Sequence, residues 1–440
     1  MIAPRSPRPA RSPDPRPVPT GVARGEVRLP GSKSIAQRAL VLAALAVGES
    51  RLVGAPANRD VDTLVAGLRA LGIRIEREGS AGETIVVQGS AASLPGGARE
   101  VDAGENGTAL RCLIALAALR RDPTRIAGPS HRPVAPLLAA LRALGARIEG
   151  ERPPLIVRGP IRGGEVAVES SLSSQFATAL LLVAPALPVG LVLSAPGLVS
   201  RHYLELTAAL AREFRAPAAA APASSGEGPG GAARYRVPSA ILRGRTLAIE
   251  PDASAAAFPL AAAAVTGGEV AVLGLGRGSL QGDARFAEIL GGMGCAVEVG
   301  EERIRVRGGA LRAIEADLGD TPDLAPPLAA VAAFAPGRSV LHGIAHLRHK
   351  ESDRLAVLAA GLESLGFRAR ATADTLEIEG GAGGRGAVVD PAGDHRMAMA
   401  FAVIGTRVEG VSVRNPSCVE KSDPAFFERW EALVRRAQQD

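Results

Sequence analysis

The sequence predicts an α/β protein of two similar domains, each built from three copies of one helix-and-strand unit, with a cleft between them. Three observations predict it. A short phrase recurs: residues 68–75 read LRALGIRI, 141–148 LRALGARI, 290–297 LGGMGCAV and 362–369 LESLGFRA, with fainter copies starting at Leu210 and Leu433. Spacing of roughly seventy residues marks a structural repeat. Each clear copy closes an amphipathic helix, with Gly72, Gly145, Gly294 or Gly366 just past its end, and then enters a short β-like stretch. Finally, three copies precede and three follow residues 216–235, APAAAAPASSGEGPGGAARY, a low-complexity stretch that reads as a surface insertion in the third unit.

The bulk numbers agree. A chain of 440 residues is too long for one ordinary domain, and 47% hydrophobic residues can fill a core. Aromatics are only 3%, which argues against nucleic-acid binding on stacking platforms. A net charge of +6 suits an anionic partner. Cys112, Cys295 and Cys418 are far apart and in no metal-ligand spacing, so we expect reduced thiols and no metal. No apolar run reaches the ~18 residues of a membrane span, and the Pro- and Arg-rich start lacks a secretory apolar core. The expected layout is a disordered tail over 1–20, one domain over 31–248, and a second formed by 21–30 plus 249–440. The expected setting is the cytoplasm.

The chemistry gathers at helix starts. Only three lysines, Lys33, Lys350 and Lys421, stand among 48 arginines. The two residue types are not equivalent, because lysine carries a compact point charge on a thin stem. GSKS (31–34) opens an apolar-periodic helix whose free N–H groups, hydroxyls, Lys33 and Arg38 make an anion site. It is not a nucleotide phosphate loop, because Ser32 intervenes between Gly31 and Lys33. GENGTALR (104–111) repeats the design with Gly107, Thr108 and Arg111; SSLSSQFATALL (170–181) does so with Ser173, Ser174 and Gln175. PDASAAAF (251–258) reads as a helix cap at a domain crossover. In HLRHKESDRL (346–355), if the stretch is helical, Lys350 and Arg354 share one face, which is costly unless an anion lies between them. Glu351 beside them suits proton transfer. In DTPDLAPPL the prolines argue against a helix running through, and Asp323 on a rigid turn suits a general base. GDHRMAMA starts a further helix at Asp394, His395 and Arg396, and NPSCVEKSDP carries Lys421. With Arg132 from PSHRPV, eight strong cations converging on one cleft would hold two small anionic molecules.

Those motifs, in that order, resemble the 5-enolpyruvylshikimate-3-phosphate synthase family: LPGSKSIAQRA, SSQFATALL, QGDARFAEIL, HLRHKESDRL and DHRMAMAFA, over about 29–427. The resemblance implies two domains of three βαβαββ-type units each, an inside-out α/β barrel. It implies transfer of the enolpyruvyl group of phosphoenolpyruvate to the 5-hydroxyl of shikimate 3-phosphate through a tetrahedral intermediate, by a monomer with no cofactor. It assigns Ser34, Arg38, Ser173, Ser174, Gln175, Ser200, Asp323, His346 and Lys350 to shikimate 3-phosphate. It assigns Lys33, Gly107, Arg132, Gln175, Arg354, Arg396 and Lys421 to phosphoenolpyruvate. Asp323 would be the base, Glu351 the proton donor to the methylene carbon, and Lys33 the charge stabiliser. The chain departs from the usual pattern at Glu105-Asn106, where Asn-Ala is frequent, at Cys112, and at His346, where Asn is frequent. Gly107 is the glycine expected in glyphosate-sensitive enzymes. Two alternatives are a sister transferase acting on UDP-N-acetylglucosamine, against which the GPSHRP loop lacks a reactive Cys, and a non-catalytic basic repeat scaffold.

Overall fold

A computed structural model describes residues 14–80, 82–129, 131–214, 232–381 and 383–435. Twelve α-helices occur among them: α1 (Lys33–Leu45), α2 (Arg59–Ala70), α3 (Gly107–Ala117), α4 (Ala135–Ala143), α5 (Gln175–Val183), α6 (His202–Glu213), α7 (Ala253–Thr266), α8 (Phe286–Gly292), α9 (Ala325–Ala332), α10 (Arg354–Ser364), α11 (His395–Gly405) and α12 (Phe426–Arg435). They alternate in character. Beyond the polar residues near their N-termini, the odd-numbered helices are apolar on every side, as in ASAAAFPLAAAAVT, and such a helix must be buried. All of α9 and α11 is buried. The even-numbered helices are amphipathic, with one polar face to solvent, as in RDVDTLVAGLRA. The recurring phrase closes α2, α4, α8 and α10, and Gly72, Gly145, Gly294 and Gly366 just past them all adopt positive φ, between 88° and 103°. A side chain at those positions would be strained.

Six small sheets accompany the six helix pairs. Each combines a parallel pair with an antiparallel strand; in one, Arg99–Asp102 runs parallel to Thr124–Ala127, which pairs antiparallel with Leu155–Arg158. The helices α1, α3 and α5 pack together at the centre of one domain, and α7, α9 and α11 at the centre of the other. Two separate apolar cores result. One draws on residues from Ile35 to Ile249; the other joins Val18, Ala23 and Val27 to residues from Ala253 to Val434. The repeat count and the two-domain α/β class therefore hold.

The chain crosses between the domains twice, side by side. Gly31 bridges Pro251, Ser32 N–H donates to the Glu250 carbonyl at 2.7 Å, and Asp252 N–H to the Pro30 carbonyl at 3.0 Å. The Asp252 carboxylate caps its own helix through Ala255 N–H (2.9 Å) and accepts from the N–H of Lys33 in the other domain (3.1 Å). The capping role read from PDASAAAF is present, and it also fixes the start of α1.

Several local expectations change. The disordered tail expected over 1–20 does not hold for its last residues: residues 1–13 lie outside the described residues, but Arg16–Pro17 pairs with Ser412–Val413, and Arg16 lies over the Phe427 ring and pairs with Glu431. The edge of the last sheet captures this strand. The insertion expected at 216–235 lies outside the described residues up to 231, while Ala233–Val237 is a strand beside Leu191–Ala195. Arg16–Pro17 and Ala233–Val237 fill the same antiparallel position in their two domains. Lys350 and Arg354 do not share a helix: Asp353 caps α10 through Ala356 N–H, so α10 begins only at Arg354. Pro326 and Pro327 fall in the first turn of α9, where their missing N–H groups have no partner to lose. No helix among the described residues is long and apolar enough to cross a membrane.

Candidate active site

The heads of the central helices face one another across the domain boundary. The cleft between them is lined by Lys33, Ser34, Arg38, Gly107, Arg132 and Gln175 from one domain and Asp323, Lys350, Glu351, Arg354 and Arg396 from the other. Five expected residues do not line it directly. Ser173 and Ser174 lie at the α5 start, and Ser174 makes no side-chain cap bond, which leaves its hydroxyl uncommitted to capping. Ser200, in left-handed backbone at φ 54°, donates its N–H to the Gly319 carbonyl. His346 is buried beside Lys350 and brought down to about 3 by burial and then by that ammonium, so it is neutral. Lys421 reaches in from its own turn, donating to the Glu105 carbonyl at 2.9 Å.

The cleft is closed by contacts that cross it. Arg132 donates to the His349 carbonyl at 3.1 Å and to Glu351 at 3.2 Å. Asn58 donates to the Ser422 carbonyl at 3.0 Å, and the Tyr203 hydroxyl to Asp323 at 3.2 Å. Eight cations line or back the site against four carboxylates, Asp60, Asp323, Glu351 and Asp394. An excess of four positive charges suits bound phosphates, each close to −2 at pH 7.

Arg354 is the hub. It is 1% exposed and donates to Asp394 (2.8 Å), Asp323 (2.8 Å) and Glu351 (2.9 Å). Breaking a buried pair by removing one partner is costly because the other charge stays buried. Arg354→Leu is therefore expected to lose roughly 3–5 kcal/mol of stability, read as a fall in the urea midpoint; an unchanged midpoint would refute it. Burial pushes the Asp323 and Glu351 carboxyls up, yet their surrounding cations outweigh it and hold both well below the usual carboxylate range. For Asp323 those cations are Arg396, Lys350 and Arg354; for Glu351 they are Arg132, Arg354 and Lys421.

Arg38 stacks over Tyr203 at 5.2 Å and donates to Thr207 at 2.9 Å. Lys350 makes no ion pair among the described residues, and burial brings its ammonium below the ordinary value. Arg111, bonded to Gln175 and Pro133, is brought to about 9 by burial and then by Arg132. Gly107 lets two guanidinium groups come close: a Cβ there would lie 2.9 Å from Arg132 Nε and 3.0 Å from Arg111 Nη1, so a side chain would push the arginine ends aside. The Glu105-Asn106 departure is explained locally. Asn106 caps α3 through Thr108 and Ala109 N–H and donates to the Asp60 carbonyl at 2.7 Å. Its amide therefore serves the scaffold.

Sequence reasoning missed Tyr203, Asp60 and Gln37. Tyr203 is one of only two tyrosines, a rarity signal like that of the lysines. Asp60 looked like an ordinary first-turn acid of α2.

A family model for EPSP synthase (3-phosphoshikimate 1-carboxyvinyltransferase) matches residues 19–430. The chain belongs to the EPSP synthase family. It is 40% identical to the 3-phosphoshikimate 1-carboxyvinyltransferase of Methanoculleus marisnigri over 94% of this chain and 97% of that one. It is 36% identical to that of Methanothermobacter thermautotrophicus over 93% and 96%. The solved EPSP synthase of Acinetobacter baumannii superposes with a TM-score of 0.77 at 26% identity, covering 96% of this chain and 97% of that one.

Proposed function

We propose that this chain is a cytoplasmic enzyme that transfers the enolpyruvyl group of phosphoenolpyruvate to the 5-hydroxyl of shikimate 3-phosphate and releases phosphate. The carrying observation is the cleft in which Lys33, Arg132, Lys350, Arg354, Arg396 and Lys421 surround two ionised carboxylates. Arg38, Tyr203, Ser34, Ser173, Ser174, Gln175, Ser200 and Lys350 hold the shikimate phosphate and hydroxyls, with His346 backing Lys350. Arg132, Arg396, Lys33 and Lys421 hold phosphoenolpyruvate above Gly107, with Arg354 behind it. UDP-N-acetylglucosamine is not the favoured acceptor.

The chemistry follows from the charge balance. Asp323 and Glu351 are counter-ions to Arg132, Arg354, Arg396 and Lys421, the cations that bind substrate. When substrate anions take over Arg132, Arg354, Arg396 and Lys421, both carboxylates lose positive neighbours and become more basic. Asp323 then accepts the proton of the attacking hydroxyl. Glu351 takes up a proton and delivers it to the methylene carbon as the hydroxyl oxygen bonds to the adjacent carbon, giving the tetrahedral intermediate; the Glu351 carboxylate then takes a proton back from the new methyl group as the C–O bond to phosphate breaks, which restores the double bond. Lys33 balances charge at the transferring centre. The expected signature is uptake of up to about one proton per site when an unreactive phosphoenolpyruvate analogue joins the shikimate 3-phosphate complex. Calorimetry in two buffers of different ionisation enthalpy reads it, and Glu351→Gln should abolish it. Equal heats in both buffers would refute this role for Glu351.

The test of the function is phosphate release from phosphoenolpyruvate with each acceptor. Release with shikimate 3-phosphate alone supports the reading; release with UDP-N-acetylglucosamine alone overturns the substrate.

A further inference from the structure

Two of the three lysines in this chain converge on one carboxylate. Asp60 Oδ2 lies 3.0 Å from Lys33 Nζ, and Asp60 Oδ1 lies 3.6 Å from Lys421 Nζ. Lys33 belongs to α1 in one domain, and Lys421 comes from the other. Asp60 is 5% exposed, and its place is over-determined: its carbonyl accepts from Gln37 (3.1 Å) and from Asn106 (2.7 Å). At the second position of α2, its charge also faces the positive helix end. Two side-chain amides are spent on fixing a residue that neither substrate assignment includes.

We propose that Asp60 is the positioning residue of the phosphoenolpyruvate site, holding Lys33 and Lys421 side by side so that domain closure delivers both ammonium groups to the same anion. Two ammonium groups brought to one anion repel each other unless a carboxylate lies between them. Asp60 supplies that carboxylate before substrate arrives. The remaining groups facing Lys33 are Arg396, Glu351 and His395, together with Asp252, which holds its backbone N–H. Burial lowers the Lys33 ammonium, but Asp60, helped by Glu351, more than offsets burial and Arg396. The proposal rests on reading the cleft as the phosphoenolpyruvate site.

The test exploits the lysine count. Enzyme labelled with 15N in lysine side chains has three such signals, and Lys33→Arg assigns one of them. In Asp60→Asn, which keeps the backbone carbonyl bonds, the Lys33 titration midpoint is expected to fall by about one pH unit or more, with Lys350 unmoved. The kcat/KM for phosphoenolpyruvate should fall about a hundredfold, while KM for shikimate 3-phosphate stays within about threefold. Asp60→Glu keeps the charge; it should hold the Lys33 midpoint near that of wild type and recover about tenfold of the loss. An unmoved Lys33 midpoint in Asp60→Asn overturns the assignment. So does Asp60→Glu that is as slow as Asp60→Asn, which also decides the matter if the Asn variant does not fold. The titrations need no turnover, so a wild type that releases no phosphate would defeat the substrate reading and leave the lysine coupling to be judged by itself.

Discussion

Asp323→Asn is expected to fold, to bind shikimate 3-phosphate, and to lose at least about a thousandfold in turnover, the scale of a lost general base plus its charge. Folding should survive because Arg354 keeps Glu351 and Asp394 as partners when Asp323 becomes neutral. Arg396 does lose its carboxylate, so some stability goes with it. The amide fills the same space beside Tyr203 but cannot accept the substrate proton and remain a stable neutral group. Single-turnover phosphate release separates this from slow product release. A variant that keeps more than about a tenth of wild-type kcat would remove Asp323 from the base role.

Lys33→Arg carries the second large effect. It should fold normally, because the start of α1 is set by backbone bonds to Ser32 and Asp252 rather than by the lysine side chain. It should nevertheless lose roughly 100- to 1,000-fold in kcat. The ammonium is largely buried, held by Asp60 at 3.0 Å, with Glu351, Arg396 and His395 close by. A guanidinium is broader and planar, and in this space it would displace Asp60 or intrude on the substrate phosphate. Wild-type turnover in that variant would show that any cation suffices at this position. A loss confined to KM would make Lys33 a binding group only.

Much of this was legible from residues alone. The LRALG-like phrases counted the units, because four of them end an amphipathic helix the same way with glycine at a left-handed position after it, and two fainter copies keep the spacing. The motif residues were legible because helix starts with hydroxyls, glycine and cations recur in order. The strand at Arg16–Pro17 was not. Two residues of a proline-rich stretch carry no period, and they become a strand only because the Ser412–Val413 edge offers unpaired backbone groups. The break before Arg354 was not legible, because an aspartate just before an apolar run fits a helix interior as well as a cap, and only its bond to the Ala356 N–H decides.

Which residues carry charge, where most helices start, and how many units repeat follow from neighbours a few positions apart. How the charges pair follows only from the packed fold. That Arg354 spends its donors on three carboxylates, that Glu351 stands ionised among three cations, and that Asp60 links Lys33 to Lys421 are facts about residues tens to hundreds of positions apart. Coulomb energy depends on distance and on the water excluded between two groups, and both are fixed only when the two domains meet over the cleft.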